Sequence, residues 1–282
     1  MARIARDRRR SGRLQTVRPT ALLLIPLTRH LLLMRVWPSP KIEEEGLMNT
    51  AVLFDLDDTL IDLQYSRRHG LRAVQEILPD LKRVPLEELE LAHDEELNAT
   101  YPRILDDSLS AEEAGHIHIR GICWRYDIEA SRVRVVEATD AYAQAQQSNP
   151  RLVPGVEELF DALRGWAKIG VITNGCPLQR YKLELFDLFP LDALAISEEV
   201  GAVKPDPAIF HYALAELGVQ KATMIGDSWE NDVLGAIGCG MSAIWLNRYR
   251  RTCPDPSLAV EINGFESVGD VLHTLRKLSC TL

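Results

Sequence analysis

Apolar positions along this chain fall into two textures. Across 63–149 they recur three and four residues apart, as in Leu71, Val74 and Leu78, or Leu86, Leu89 and Ala92. That spacing puts them on one face of a helix, and the segment is rich in Leu, Ala, Glu, Gln and Arg. It predicts four or so amphipathic helices and no strand. Elsewhere the apolar residues come in short unbroken runs closed by turn residues: "NTAVLF", "KIGVITNG", "ALAIS", "ATMIGDS" and "MSAIWLN". Such runs predict strands buried on both faces. Helical spacing returns between them. It covers "VPGVEELFDALRGWA" with Pro154 and Gly155 at its start, then 178–187, 207–217, 230–238 and 267–278, while "EEVGAVKPDP" reads as loop.

Strands alternating with helices predict a parallel sheet covered on both faces, an α/β core of Rossmann-like type. The first run stands far from the others in sequence. The core is therefore expected over 48–62 and 150–282, interrupted by a helical insertion at 63–149. A length of 282 residues suits one large domain or two moderate ones, and 46% hydrophobic with 26% charged residues is the balance of a soluble globular chain. Cys123, Cys176, Cys239, Cys253 and Cys280 are scattered, odd in number and without CxxC pairing, which predicts reduced thiols and a cytoplasmic protein.

Charge divides the chain. Residues 1–47 carry nine Arg and one Lys against Asp7, Glu43, Glu44 and Glu45, a net of +6, so the formal −9 of the whole leaves −15 on the remainder. An acidic body repels nucleic-acid backbones, which excludes a polymer partner bound through a basic face; "RYRR" at 248–251 reads as a solvated loop. A small metal-bound substrate is compatible with that charge. Within 1–47 the apolar stretch "ALLLIPLTRHLLLMRVW" is broken by Arg29 and His30 and falls short of the roughly 20 apolar residues of a membrane span. Arg-rich and acid-poor, this segment reads first as a disordered, dispensable or mis-annotated leader ahead of Met48. A targeting segment is the second reading and folded structure the third.

Residues able to do chemistry sit where the apolar runs stop. "AVLFDLDDTL" drives a water-avoiding run into Asp55, Asp57 and Asp58, with Thr59 behind them. Thr173 and Asn174 end the second strand, Asp227 ends the fourth, and Lys204 lies in the loop after the third. Open α/β sheets bind ligands beyond the carboxyl ends of their strands, where strand order reverses, so these positions offer carboxylates, a hydroxyl and an ammonium to one crevice. Asp58 reads as a turn or cap residue. His116 and His118, two apart on a helix, face different directions and do not share an ion. Cys176 has no base evident beside it. Trp124, Arg125 and Tyr126 either meet a substrate's organic part, or Trp124 only fills the core of the insertion.

Taken in order, "DLDDT", "VITNG", "VGAVKPDP" and "IGDSWENDVLGAIGCG" resemble the four motifs of the haloacid dehalogenase-like (HAD) hydrolase superfamily. Those motifs are DxDx[TV], a Ser or Thr ending a strand, a Lys followed by Pro, and GDxxxND. The likeness covers about 50–280, and the insertion matches the C1 cap of subfamily IA, which closes over the crevice and selects substrates. The resemblance implies a Mg2+-dependent phosphatase acting on a small phosphorylated metabolite. A phosphate monoester is already anionic and resists a carboxylate nucleophile until cations screen the repulsion.

By this resemblance Asp55 attacks phosphorus to give an aspartyl-phosphate, and Asp57 serves as general acid and then base. Thr173 and the backbone N–H of Asn174 hold phosphate oxygens, while Lys204 neutralises their charge and orients Asp55. The implied Mg2+ ligands are the Asp55 carboxylate, the Asp57 backbone carbonyl and the Asp227 carboxylate, with Asp232 on a metal-ligated water or on Lys204. The fourth motif is similar to the branch containing 5'-nucleotidases and N-acylneuraminate-9-phosphatase, which implies a nucleoside monophosphate first and a sugar phosphate second, in a monomer or homodimer. Three rivals share the fold. A 2-haloacid dehalogenase needs no Mg2+ and lacks an acid/base Asp two residues after the first. Phosphoglucomutase-type transfer passes the phosphoryl group to a sugar instead of water. A non-catalytic interaction module would have lost a motif residue, and none is lost here.

Overall fold

The structure is a computed structural model that describes residues 50–105 and 108–279. The leader and Cys280 lie outside the described residues. Among the described residues one parallel sheet is formed by β1 (Ala51–Phe54), β2 (Lys168–Thr173), β3 (Ala193–Ile196), β4 (Thr223–Gly226), β5 (Ser242–Leu246) and β6 (Val260–Ile262). Their spatial order is β3-β2-β1-β4-β5-β6. Each run of apolar residues became a strand because both faces of the sheet are covered. In β1, Val52 and Phe54 join a core with Phe160, Leu163, Val271 and Leu275, and the Phe54 and Phe160 rings lie 5.3 Å apart. Ala51 and Leu53 join the opposite core with Ile209, Phe210, Leu214 and Val233.

The helices covering the sheet are α5 (Val156–Leu163), α6 (Leu178–Leu185), α7 (Ser197–Val200), α8 (Pro207–Leu217), α9 (Gly235–Gly238) and α10 (Val268–Ser279). Three elements differ from the sequence reading. β6 is a three-residue edge strand paired only with β5, too short and too exposed to leave an apolar run. The loop expected at "EEVGAVKPDP" begins with the single turn of α7. The helix expected at 230–238 opens as a π-helical turn, Trp229–Leu234, before α9.

The insertion holds α1 (Leu63–Ile77), α2 (Leu86–Leu105), α3 (Ala111–Arg125) and α4 (Arg132–Gln147). These helices enclose their own apolar cluster, with Leu71, Val74, Leu89, Ile119, Ile122 and Val135 at its centre. The start of α1 is fixed by Asp62, whose carboxylate accepts from the Tyr65 N–H at 3.2 Å. Ser110 and Glu113 form a reciprocal capping box on α3. The chain leaves the sheet and returns along two adjacent crossings: Asp62 N–H donates to Arg151 O and Val153 N–H to Leu60 O, each at 2.9 Å. Asp62 also pairs with Arg151 and, at 2.9 Å, with Arg248. The solvated reading of 248–251 therefore fails for Arg248, because the loop after β5 folds back over the strand ends and meets a buried carboxylate there. Among the described residues no helix is long and apolar enough to cross a membrane.

Candidate active site

β1 sits mid-sheet, with β2 and β3 to one side and β4, β5 and β6 to the other. Strand order reverses between β1 and β4, so the crevice opens beyond their carboxyl ends. Asp55 begins it: its N–H donates to Ile225 O at 2.9 Å, which extends the β1–β4 ladder one residue and aims the side chain into the gap. Lys204 reaches the same place from the loop after α7. Its Nζ lies 2.6 Å from Asp55 Oδ1, 2.6 Å from Asp232 Oδ1 and 3.0 Å from Ile172 O. All three ammonium protons are thereby engaged, and both charged partners are buried. The Asn174 side chain fixes the Lys204 backbone, accepting from its N–H at 2.8 Å and donating to its carbonyl at 3.2 Å. That contact was absent from the sequence reading, which assigned Asn174 only through its backbone.

The fourth motif explains its own glycine. A Cβ on Gly226 would fall 2.2–2.5 Å from the Asp232 side chain, so only glycine lets that carboxylate lie against the end of β4. The Ser228 N–H then donates to Asp232 Oδ2 at 3.0 Å. Asp227 is held through its backbone: its N–H donates to Thr59 Oγ1 at 3.1 Å, and its carbonyl accepts from Trp245 Nε1 at 2.9 Å and an Arg251 N–H at 2.8 Å. Thr59 thus ties the loop after β1 to the loop after β4. Arg251 reaches this loop with its guanidinium while its side chain stays half exposed, unlike Arg248.

One oxygen each of Asp55, Asp227 and Asp232 lies within 4.8 Å of the others. Three carboxylates face two cations, Lys204 and the half-exposed Arg251, 3.6 Å from Asp227 Oδ2, which leaves the cluster with a net negative charge. The consequence is electrostatic. Burial pushes the Asp55 carboxyl up to about 7, with Asp232 adding to the rise and Lys204 opposing it. Burial and the neighbouring carboxylates likewise hold Asp227 well above the usual range. Burial works against the Lys204 charge, yet Asp232 and Asp55 raise its pKa above the ordinary lysine value. A set of hard oxygen donors with net negative charge fits a hard divalent cation such as Mg2+. Replacing Lys204 by Met would leave Asp55 and Asp232 buried and unpaired, which costs about 3–5 kcal/mol. The thermal midpoint of Lys204→Met is expected to fall by roughly 10 °C. A midpoint within about 2 °C of the parent would show that the ion triad contributes little to the fold.

Asp57 belongs to a separate contact set. Its carboxylate turns toward α6, where Lys182 Nζ lies 2.8 Å from both oxygens and Gln179 Nε2 lies 2.9 Å from Oδ2. Gln179 Nε2 also donates to Thr173 Oγ1 at 2.8 Å. Sequence reasoning missed both α6 residues, although their spacing of three after the phosphate-loop motif put them on one helix face. Asp58 takes the turn role expected of it, at φ 61°. It also accepts from the Gln64 N–H at 2.9 Å and pairs at 2.5 Å with Arg67 of α1, which reaches Asp94 of α2 at 3.0 Å.

The other candidates lie elsewhere. His118 is buried, 2.6 Å from Thr100 Oγ1, while His116 lines an outer groove between α3 and α4 with Arg120. Trp124 is 83% exposed, so it does not fill the core of the insertion; Ile119, Ile122 and Cys123 take that face of α3. Trp124 lines an outer groove with Ile128 and Ala130, a groove to which no motif residue contributes.

The family model of haloacid dehalogenase-like hydrolases matches residues 50–240. The chain belongs to that family. The pyrimidine 5'-nucleotidase YjjG of Escherichia coli is 38% identical over 168 residues, which is 55% of this chain and 70% of that protein. A glyceraldehyde 3-phosphate phosphatase of Pyrococcus abyssi is 30% identical over 212 residues, 71% of this chain and 82% of its own. The putative HAD-hydrolase YfnB of Bacillus subtilis, solved bound to magnesium, superposes with a TM-score of 0.61 at 22% identity. The match covers 81% of this chain and 99% of that one. At that identity the likeness shows the fold. As a HAD hydrolase the protein is an enzyme, with α1–α4 in the place of the family's cap.

Proposed function

We propose that the protein is a Mg2+-dependent phosphatase that hydrolyses a small phosphate monoester, a nucleoside monophosphate first and a sugar phosphate second, through an aspartyl-phosphate on Asp55. The observation that carries this reading is the buried Asp55–Lys204–Asp232 triad at the end of β1, with a second carboxylate, Asp57, two residues on. The triad presents Asp55 with one oxygen tied to Lys204 and the other free to react. Asp55 attacks phosphorus, and the electron pair of the breaking P–O bond goes to the leaving alcohol, which takes a proton from Asp57. Water then attacks the aspartyl-phosphate, Asp57 accepts its proton, and Asp55 is regenerated as inorganic phosphate leaves. Thr173 and the backbone N–H of Asn174 hold phosphate oxygens. With its three donors already engaged, Lys204 acts on them through its charge.

The Asp55 and Asp227 carboxylates and the Asp57 backbone carbonyl would hold the Mg2+, with Asp232 supporting the site through Lys204. The ion supplies charge neutralisation that lets an anionic nucleophile approach an anionic ester. The nucleotide preference is supported by the similarity to a pyrimidine 5'-nucleotidase over more than half of the chain. The free thiols of Cys123, Cys176, Cys239 and Cys253 fit a reducing compartment, so this reading places the protein in the cytoplasm, as a monomer or homodimer. Purified protein with Mg2+ should release phosphate from nucleoside 5'-monophosphates ahead of sugar phosphates in a panel of phosphorylated metabolites. Preference for a sugar phosphate would move the substrate to the second choice, and no phosphate release from any monoester would end the reading.

A further inference from the structure

The crevice contains two groups that the reaction outlined above leaves without a role, Gln179 and Lys182. They stand three residues apart on α6, so one helix face carries both. Gln179 is 4% exposed and Lys182 is half-buried. The Gln179 amide has two N–H donors, and its Nε2 lies 2.9 Å from Asp57 Oδ2 and 2.8 Å from Thr173 Oγ1, with a longer contact of 3.4 Å to Asn174 O. Lys182 Nζ meets both Asp57 oxygens at 2.8 Å. Asp57 otherwise sits on a loop, where a carboxylate swings about two side-chain torsions. Three contacts from one rigid helix remove that freedom.

The Gln179 bridge has a second effect. Because Thr173 Oγ1 accepts from Gln179, its own O–H is left to donate elsewhere, and a phosphate oxygen can only accept. One amide therefore fixes the direction of the phosphate-binding hydroxyl and the place of the acid/base carboxylate together.

We propose that Gln179 and Lys182 are positioning residues that hold Asp57 in line with the leaving-group oxygen and set the Thr173 hydroxyl toward the phosphate. The proposal rests on the phosphatase reading and assigns neither residue a bond to the substrate. Its test uses leaving groups, since p-nitrophenolate departs without a proton whereas an alkoxide needs one. The parameter read is kcat/KM, which reports the first phosphoryl transfer.

In the full-length protein with Mg2+, Lys182→Met is expected to lower kcat/KM on an alkyl phosphate monoester by about 30–100-fold, within the range of a lost general acid, and on p-nitrophenyl phosphate by less than about threefold. Lys182→Arg, which keeps a charged donor on α6, should recover most of the alkyl activity. Gln179→Met should lower kcat/KM on both esters, more on the alkyl one, because it releases Thr173 as well as Asp57. Asp57→Asn should show the same selective loss, and adding Lys182→Met to it should cost little more, since both act through one carboxylate.

Equal losses on the two esters in Lys182→Met, or losses that multiply in the double variant, would overturn the positioning role while leaving Asp57 as the acid. A loss in Asp57→Asn that is the same for both esters would overturn Asp57 itself, and the positioning role with it. Lys182→Met lies on a partly exposed side chain, so its thermal midpoint should stay near the parent's. A collapse of that midpoint with no recovery in Lys182→Arg would make the residue structural and also overturn the proposal.

Discussion

Asp55→Asn is expected to reduce phosphate release from p-nitrophenyl phosphate by at least about 10^4-fold, the scale seen when a covalent nucleophile is removed. The fold should survive. Asn has nearly the shape of Asp, its amide oxygen still accepts from Lys204, and Asp232 remains beside Lys204 at 2.6 Å to pair the buried ammonium. Loss of activity without loss of structure would therefore isolate the reacting oxygen. Thermal unfolding of the variant checks the fold, and a malachite-green phosphate assay checks the rate. Activity within tenfold of the parent would remove Asp55 as the nucleophile and, with it, the aspartyl-phosphate.

Chelation is expected to have an effect of similar size. EDTA should silence the enzyme and added Mg2+ should restore it, because Asp55, Asp227 and Asp232 crowd together with negative charge in excess of their cationic partners. The pH dependence follows from the same crowding. In the metal-free fold Asp55 is pushed up to about 7 and Asp227 is also raised, whereas both would titrate near 3.8 when unfolded. Between those values the folded chain holds more protons than the unfolded one, so these two groups favour folding at low pH and lose that contribution as pH rises toward 7. Mg2+ competes with the protons for the same oxygens. The rise in thermal midpoint on adding Mg2+ should therefore be larger at pH 8 than at pH 5.5. An equal rise at both pH values would mean that the ion binds away from this cluster. Turnover indifferent to EDTA would favour the dehalogenase reading.

Much of this protein was legible in one dimension. A parallel sheet buries both faces, so "AVLF", "VIT", "LAI" and "MIG" had to be apolar without alternation, and the polar residue that ends each run had to stand at the mouth of the crevice. Asp55, Thr173 and Asp227 could be placed for that reason, as could the helical insertion from its three-and-four spacing. The sequence alone also determined the charge balance, +6 on residues 1–47 against −15 on the remainder, since charge adds along the chain whatever the fold.

Only the tertiary structure decided which partner each of those residues keeps. Lys182 and Gln179 look like ordinary helix polar residues until the packing of α6 turns their face toward Asp57. Arg248 and Arg251 sit in a stretch that reads as solvated, and the return of the chain after β5 brings them onto Asp62 and Asp227. Gly226 is required by the approach of Asp232, a side chain six residues later that the π-helical turn folds back onto the strand end. β6 left no readable run because an edge strand of three residues buries almost nothing. Periodicity and strand-end position are local properties of a chain and survive in its sequence. The direction of a helix face, the closeness of two backbones and the charge left over in a buried cluster depend on where distant segments meet, and that is fixed only when the layers pack.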